Sequence, residues 1–230
     1  MIRAVLYDLG DIFFEAHHWR QWMYHRLTEL GHVTGSFANF YWSYERALQP
    51  VYEGSDTYDS AFRSFVYSTG MKDPETFIEE SYQEKRRFEA IRELYPGVRE
   101  TLHRLKRDGI ANVVVSDNEL TGERVRAEIL SRFDLNPLIE SVVTSHDTGC
   151  RKPDPAIYRI ALETVGCHVT EAVFVGHDAD EIEGANRLGI CTIEFNNYLG
   201  TRTGADWRVN SFPQIREIVQ SGATLESIHG

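Results

Sequence analysis

Ala4-Val5-Leu6-Tyr7-Asp8-Leu9-Gly10-Asp11 is the stretch on which the reading of this chain turns. Four apolar residues run without a break into an acid, then into a Leu-Gly-Asp turn. An uninterrupted apolar run of this kind fits a strand buried on both faces. The acid at its end has two readings. It can be a turn or cap residue. It can also be a group presented to a ligand, because ligands of open α/β sheets bind beyond the carboxyl ends of the strands.

Outward from this strand the chain changes character twice. From about Ala16 to Glu93 it is rich in aromatics, among them Trp19, Trp22, Phe37, Phe40, Tyr41 and Trp42, with no strand pattern. Trp19, Met23 and Leu27 recur at helical spacing, as do Phe62, Phe65, Val66 and Thr69. Asp73-Pro74-Glu75 reads as an N-cap followed by proline at the first helical position. The stretch is expected to be a helical insert. Beyond Tyr95, strands are expected over 111–115, 141–144, 172–175 and 191–195. Helices are expected over 96–105, 120–131, 154–165, 180–188 and 211–219. Such alternation predicts a mainly parallel sheet covered on both faces.

Length and charge narrow the function classes. The chain has 230 residues, enough for one core carrying an inserted accessory unit. Its formal net charge is −11. Phosphate backbones are repelled by such a surface, so nucleic-acid binding is disfavoured. The densest basic cluster, Lys85 to Arg87, is hemmed in by Glu84 and Glu89. No apolar window is long enough for a bilayer, so no membrane partner is expected. Met1-Ile2-Arg3 runs straight into the first strand, without the pattern of a signal segment. Cysteines at 150, 167 and 191 give no disulfide framework and suggest reduced thiols in a cytoplasmic protein.

Four segments end strands or follow them closely, so they can converge at one sheet edge. They are Asp8-Leu9-Gly10-Asp11, Ser116-Asp117-Asn118, Arg151-Lys152-Pro153-Asp154-Pro155 and Gly176-His177-Asp178-Ala179-Asp180-Glu181. Together they supply a carboxylate, a hydroxyl, a lysine and an acidic loop. That equipment suits nucleophilic attack on phosphorus with a divalent cation present. Taken singly, each residue has a plainer use: Ser116 as a helix cap, Lys152 as a solvated lysine, the last-loop acids as first-turn residues of a helix.

In this order and at these intervals, the segments resemble the four motifs of the haloacid dehalogenase superfamily. Leu94-Tyr95-Pro96-Gly97-Val98 resembles the return from cap to core in its subgroup with a helical cap. The resemblance covers nearly the whole chain. It implies a Rossmann-like α/β core over 1–14 and 95–230, with a helical cap over 15–94. It implies Asp8 as nucleophile, Ser116 and Lys152 as catalytic groups holding the phosphoryl oxygens, and Asn118 as a further substrate-binding residue. It implies Mg²⁺ held by Asp8, the carbonyl of Gly10 and an acid of the last loop, for which Asp178 is the choice.

Two positions depart from the pattern. The family's phosphatases usually carry a second acid two residues after the nucleophile, and here that residue is Gly10. A positioned acid or base is worth roughly 10²–10⁴ in rate, so slow turnover, a good leaving group or a replacement such as Asp11, His17 or His18 is expected. The family's last motif usually reads Gly-Asp, and here it reads Gly176-His177. The expected function is a Mg²⁺-dependent phosphatase acting on a small phosphorylated metabolite. Two rivals stand beside it: metal-independent carbon–halogen hydrolysis, and a degenerate member that binds a phosphorylated ligand with little turnover. The aromatic-rich insert could also carry a homodimer interface.

Overall fold

The computed structural model describes residues 1–221, and the segment 222–230 assigned above to the core lies outside the described residues. The chain opens with β1 (Ala4–Tyr7), then runs through four helices. These are α1 (His18–Glu29), α2 (Phe37–Tyr52), α3 (Tyr58–Ser68) and α4 (Pro74–Ala90). Alternation follows: α5 (Val98–Arg107), β2 (Ala111–Ser116), the short α6 (Gly122–Arg124), β3 (Ser141–Thr144), the short α7 (Ser145–Thr148) and α8 (Pro155–Glu163). The last elements are β4 (Ala172–Gly176), α9 (Ala179–Arg187), β5 (Cys191–Phe195), β6 (Trp207–Val209) and α10 (Phe212–Gln220).

The six strands form one sheet in the order β3-β2-β1-β4-β5-β6. Every pairing is parallel. Side chains alternate between its two faces. Val5, Tyr7, Val114, Val173 and Val175 enter one apolar core, while Ala4, Leu6, Val113, Val115 and Phe174 enter the other. Both faces are thus dry, which explains the unbroken apolar runs of β1, β2 and β4. The order reverses at β1, which lies between β2 and β4. The expected parallel α/β class is therefore the observed one. The helix expected over 120–131 is not regular: α6 passes into a π turn at Val125–Ile129 and a 3₁₀ turn at Leu130–Phe133.

Helices α1 to α4 bury a core of their own, built on Trp19, Met23, Leu27, Phe40, Tyr44, Phe62, Phe65, Val66 and Phe77. Ser36, Thr57 and Asp73 cap α2, α3 and α4 by accepting from a backbone N–H. The two strands of chain that lead into and out of this unit are tied together. Phe14 bridges Leu94, and the Tyr95 N–H donates to the Phe13 carbonyl at 2.9 Å. Among the described residues, no helix is long and apolar enough to cross a membrane. Cys150, Cys167 and Cys191 are all unpaired.

Candidate active site

The switch in strand order at β1 opens a crevice at the carboxyl edge of the sheet. Asp8 follows β1 directly, and its N–H donates to the Val175 carbonyl of β4 at 3.0 Å. Ser116 closes β2, and Gly176 closes β4 ahead of His177 and Asp178. Lys152 lies in the loop before α8, and Glu181 in the first turn of α9. All of these except Gly176 line one cavity of about 980 Å³, whose other walls come from α2, α4 and the turns after β2.

Lys152 is the hub. It is 4% exposed, and its Nζ lies 2.5 Å from Asp8 Oδ1 and 2.9 Å from Glu181 Oε2. Its backbone N–H donates to Asp117 Oδ1 at 2.9 Å. Tyr158 of α8 donates to the Glu181 carbonyl at 2.8 Å. Gly184 lets α9 close on the lysine turn, because a Cβ there would sit 2.7 Å from the Pro153 carbonyl oxygen. On the other oxygen of the carboxylate, His177 Nε2 stands 3.6 Å from Asp8 Oδ2. His177 Nδ1 is 3.1 Å from Asp178 Oδ1, off the line of a hydrogen bond, so neither atom has a formal hydrogen-bond partner. Tyr41, from α2, donates to Asp178 Oδ2 at 3.1 Å.

These neighbours set the charges. Burial pushes the Asp8 carboxyl up, but Lys152 and His177 outweigh it and hold the group down at about 2. Asp8 is thus an anion at neutral pH. Burial opposes the charge on Lys152, and Asp8 and Glu181 keep it protonated. Burial likewise opposes the charge on His177, which Asp178, Asp8 and Glu181 hold well above the ordinary imidazole range. Glu181 is pushed up by burial against the pull of Lys152, and Asp117 is pushed up to about 6 for the same reason.

The expected site residues fare differently. Asp8, Gly10, Ser116, Asn118, Lys152 and Asp178 all line the cavity, but they differ in how free they are. Asn118 is largely engaged: its N–H donates to Ser145 Oγ at 3.0 Å, and its Oδ1 accepts from the Leu120 N–H at 3.0 Å. Only its Nδ2 turns toward Ser116, 3.5 Å from the hydroxyl oxygen. Asp11 is spent on the hinge. It is 2% exposed with φ +60°, and its Oδ1 faces the Ala16 N–H (2.7 Å), the His17 N–H (3.0 Å) and His17 Nδ1 (2.7 Å). Although burial pushes the Asp11 carboxyl up, the hydrogen bond with His17 and the charges of His177 and Arg20 bring it below the ordinary range, so it holds no proton to donate. His17 is stacked on Tyr198 with ring centroids 4.0 Å apart, and its Nε2 lies 3.2 Å from Glu15 Oε1, which also meets His18 Nε2. The contacts of Tyr41, Tyr198 and Asp117 had no signature in the sequence, since each joins segments far apart in the chain.

Magnesium demands a near-octahedral shell of oxygens, and the donors here do not fit it. Asp8 Oδ1 is taken by Lys152, and Asp8 Oδ2 faces an imidazole, which suits softer metals. Asp178, the expected third ligand, has His177 between it and Asp8 and is held by Tyr41. Asp8, His177 and Glu181 do place donor atoms within 4.8 Å of one another, but the Lys152 ammonium already lies against both carboxylates.

Known proteins share this arrangement of sequence and fold. A family model described as haloacid dehalogenase-like hydrolase matches residues 37–195. A glyceraldehyde 3-phosphate phosphatase of Pyrococcus furiosus is 30% identical over 142 residues, 58% of this chain and 57% of that one. An (S)-2-haloacid dehalogenase 4A of Burkholderia cepacia is 31% identical over 102 residues, 44% of this chain and 43% of that one. The chain spans about half the length of the curated relatives it matches. A solved HAD-superfamily hydrolase of subfamily IA from Geobacter sulfurreducens shares the fold, with a TM-score of 0.64 at 22% identity over 95% of this chain and 96% of that one.

Proposed function

The chain belongs to the haloacid dehalogenase-like hydrolase family, and from that premise we propose that it is a phosphatase whose Asp8 attacks the phosphorus of a small phosphomonoester. An Asp8 oxygen forms a bond to phosphorus as the ester P–O bond breaks, and the leaving oxygen takes up a proton. Water then attacks the aspartyl phosphate, releasing phosphate and restoring Asp8. Ser116 donates a hydrogen bond to a phosphoryl oxygen, and the Lys152 ammonium offsets the charge that gathers there. Helices α1 to α4 act as the cap over 15–94, excluding water while the bond changes occur.

One observation carries this reading. An ionised Asp8 faces a cavity large enough for a phosphorylated metabolite, whose wall holds Lys85 and Arg86 of α4 and Arg92 just beyond it, with no ion pair to any described residue. Unpaired cations there suit an anionic substrate. The phosphatases among the relatives support the same class. With Gly10 where an acid would assist, esters with good leaving groups are favoured. The test is phosphate release from a panel of phosphomonoesters, with mass spectrometry of the peptide containing Asp8 after a rapid acid quench. A phosphorylated Asp8 peptide is expected. Turnover that survives Asp8→Asn would overturn the reading.

A second reading has its own support. In carbon–halogen hydrolysis an Asp8 oxygen displaces halide from carbon, and water cleaves the resulting ester. No acid is needed at position 10 and no metal at Asp8. Lys152 and His177 also relieve the carboxylate repulsion that would otherwise oppose it. Halide release from a 2-haloacid, with no phosphate release from the panel, would favour this reading.

A further inference from the structure

We propose that His177, gripped between Asp8 and Asp178, stands in place of the divalent cation, so that hydrolysis at Asp8 needs no metal. The inference rests on Asp8 being the nucleophile, and it holds for either leaving group.

The geometry of the carboxylate carries it. Each Asp8 oxygen has its own basic side chain: Lys152 Nζ at 2.5 Å from Oδ1, and His177 Nε2 at 3.6 Å from Oδ2. The imidazole is 5% exposed, and its other nitrogen faces Asp178 Oδ1 at 3.1 Å. With a carboxylate oxygen facing each of its nitrogens, the ring fills the space beside Asp8 Oδ2 that a bound cation would need. Asp178 is in turn fixed by the Tyr41 hydroxyl at 3.1 Å. The chain Asp8–His177–Asp178–Tyr41 therefore links the sheet edge to helix α2.

During attack, negative charge leaves the Asp8 carboxylate and gathers on the oxygens of the group being transferred. Bond order flows from the Asp8 oxygen to phosphorus as the P–O ester bond breaks, and the leaving oxygen takes its proton from water. Two fixed donors beside Asp8 offset that charge without an ion to bind or lose. A cation placed on Asp8 Oδ2 would instead meet the His177 ring, whose Nε2 already stands 3.6 Å from that oxygen.

The test uses the full chain, freed of metal by chelator and gel filtration. Hydrolysis of p-nitrophenyl phosphate is followed in chelator and in excess Mg²⁺. Binding of Mn²⁺ is followed separately by electron paramagnetic resonance. The wild-type rate is expected to agree within about twofold in the two conditions, with no bound Mn²⁺. His177→Asn is expected to lose roughly 10²-fold in both, as when one fixed donor is removed. His177→Asp is expected to bind Mn²⁺ and to be stimulated by Mg²⁺ by about tenfold or more. A wild-type rate lost in chelator and restored by Mg²⁺, Mn²⁺ or Zn²⁺ would overturn the inference while leaving the phosphatase reading intact. Tight Mn²⁺ binding by the wild type would overturn it as well. If only halide release from 2-chloropropionate is seen, the phosphatase reading fails, and the same comparison of chelator with metal decides the inference on that assay. If neither substrate turns over, the Mn²⁺ spectra of wild type and His177→Asp decide it alone.

Discussion

Asp8 and Asp11 lie in one loop, both buried, both beside a histidine, and they do opposite things. Asp11 spends one oxygen on two backbone N–H groups and the His17 ring, all within its own turn. Its bonds fix the path of the chain from β1 into α1. Asp8 takes its partners from distant segments: Lys152 from the loop before α8 and His177 from the end of β4. Those partners are charged and border the cavity. Burial and a low pKa do not distinguish a nucleophile from a hinge anchor. The distinction lies in what satisfies the carboxylate. Backbone donors are fixed by the turn itself, whereas side-chain cations at a cavity wall can shift their hydrogen bonds to an incoming anion.

The sharpest way to break this contrast is to neutralise both acids in turn. Asp8→Asn keeps the shape and removes the nucleophile, so kcat should fall by about 10⁴-fold or more, with far-UV circular dichroism unchanged. A loss under tenfold would move the nucleophile elsewhere. Lys152→Met should cost about 3–5 kcal/mol in urea unfolding, because it leaves Asp8 and Glu181 buried without a cation. Adding Glu181→Gln should recover part of that stability and none of the activity. Asp11→Ala should reverse the pattern seen at Asp8: about 2–3 kcal/mol of stability lost with the charged hydrogen bonds, and kcat changed by less than about tenfold. A larger fall in kcat, with KM unchanged and stability intact, would make Asp11 the missing acid after all.

Much of the fold could be read from residue patterns, because burial on both sheet faces writes itself as apolar runs. The runs Ala4 to Tyr7, Val113 to Val115 and Ala172 to Val175 are of that kind. The helical insert announced itself through aromatic spacing and the Asp73-Pro74 start. Strand β6 did not. Its three residues are held by pairing with β5 (Ile193 with Trp207, Phe195 with Val209), and an edge strand this short carries no periodic signal. The π turn after α6 was equally hidden, since residues 120–131 have ordinary helical composition. At the site, the gathering of Asp8, Ser116 and Lys152 was legible because each ends or follows a strand of a parallel sheet. The wedge of His177 between Asp8 and Asp178 was not, nor the reach of Tyr41 across 137 positions to hold Asp178. Motif order conveys which loops meet, but not which side chains within them touch.

The smallest expected effect concerns Asp117, the second acid touching the lysine turn, and it is a matter of pH. Its Oδ1 accepts the Lys152 backbone N–H, a task an amide oxygen performs equally well. Its carboxyl is pushed by burial from 3.8 up to about 6. A carboxyl whose pKa is raised on folding binds its proton more tightly in the native state. It favours the native state most below the unfolded pKa, and that preference is lost as pH rises through the folded one. For Asp117 the loss falls between about pH 4 and pH 6 and is complete above that window. Asp117→Asn has nothing to lose there. Its melting temperature should match the wild type near pH 4, exceed it increasingly toward pH 6, and keep a constant lead beyond. Asp8 has the opposite sign: held at about 2, it favours the native state above its ordinary pKa and stops doing so only as pH falls toward 2. Melting curves of the two Asn variants across pH 3 to 8 should therefore diverge from the wild type in opposite senses. If Asp117→Asn instead lost stability as pH rose, Asp117 would be a paired anion like Asp8, and the contrast would have to be drawn between charged and hinge carboxylates alone.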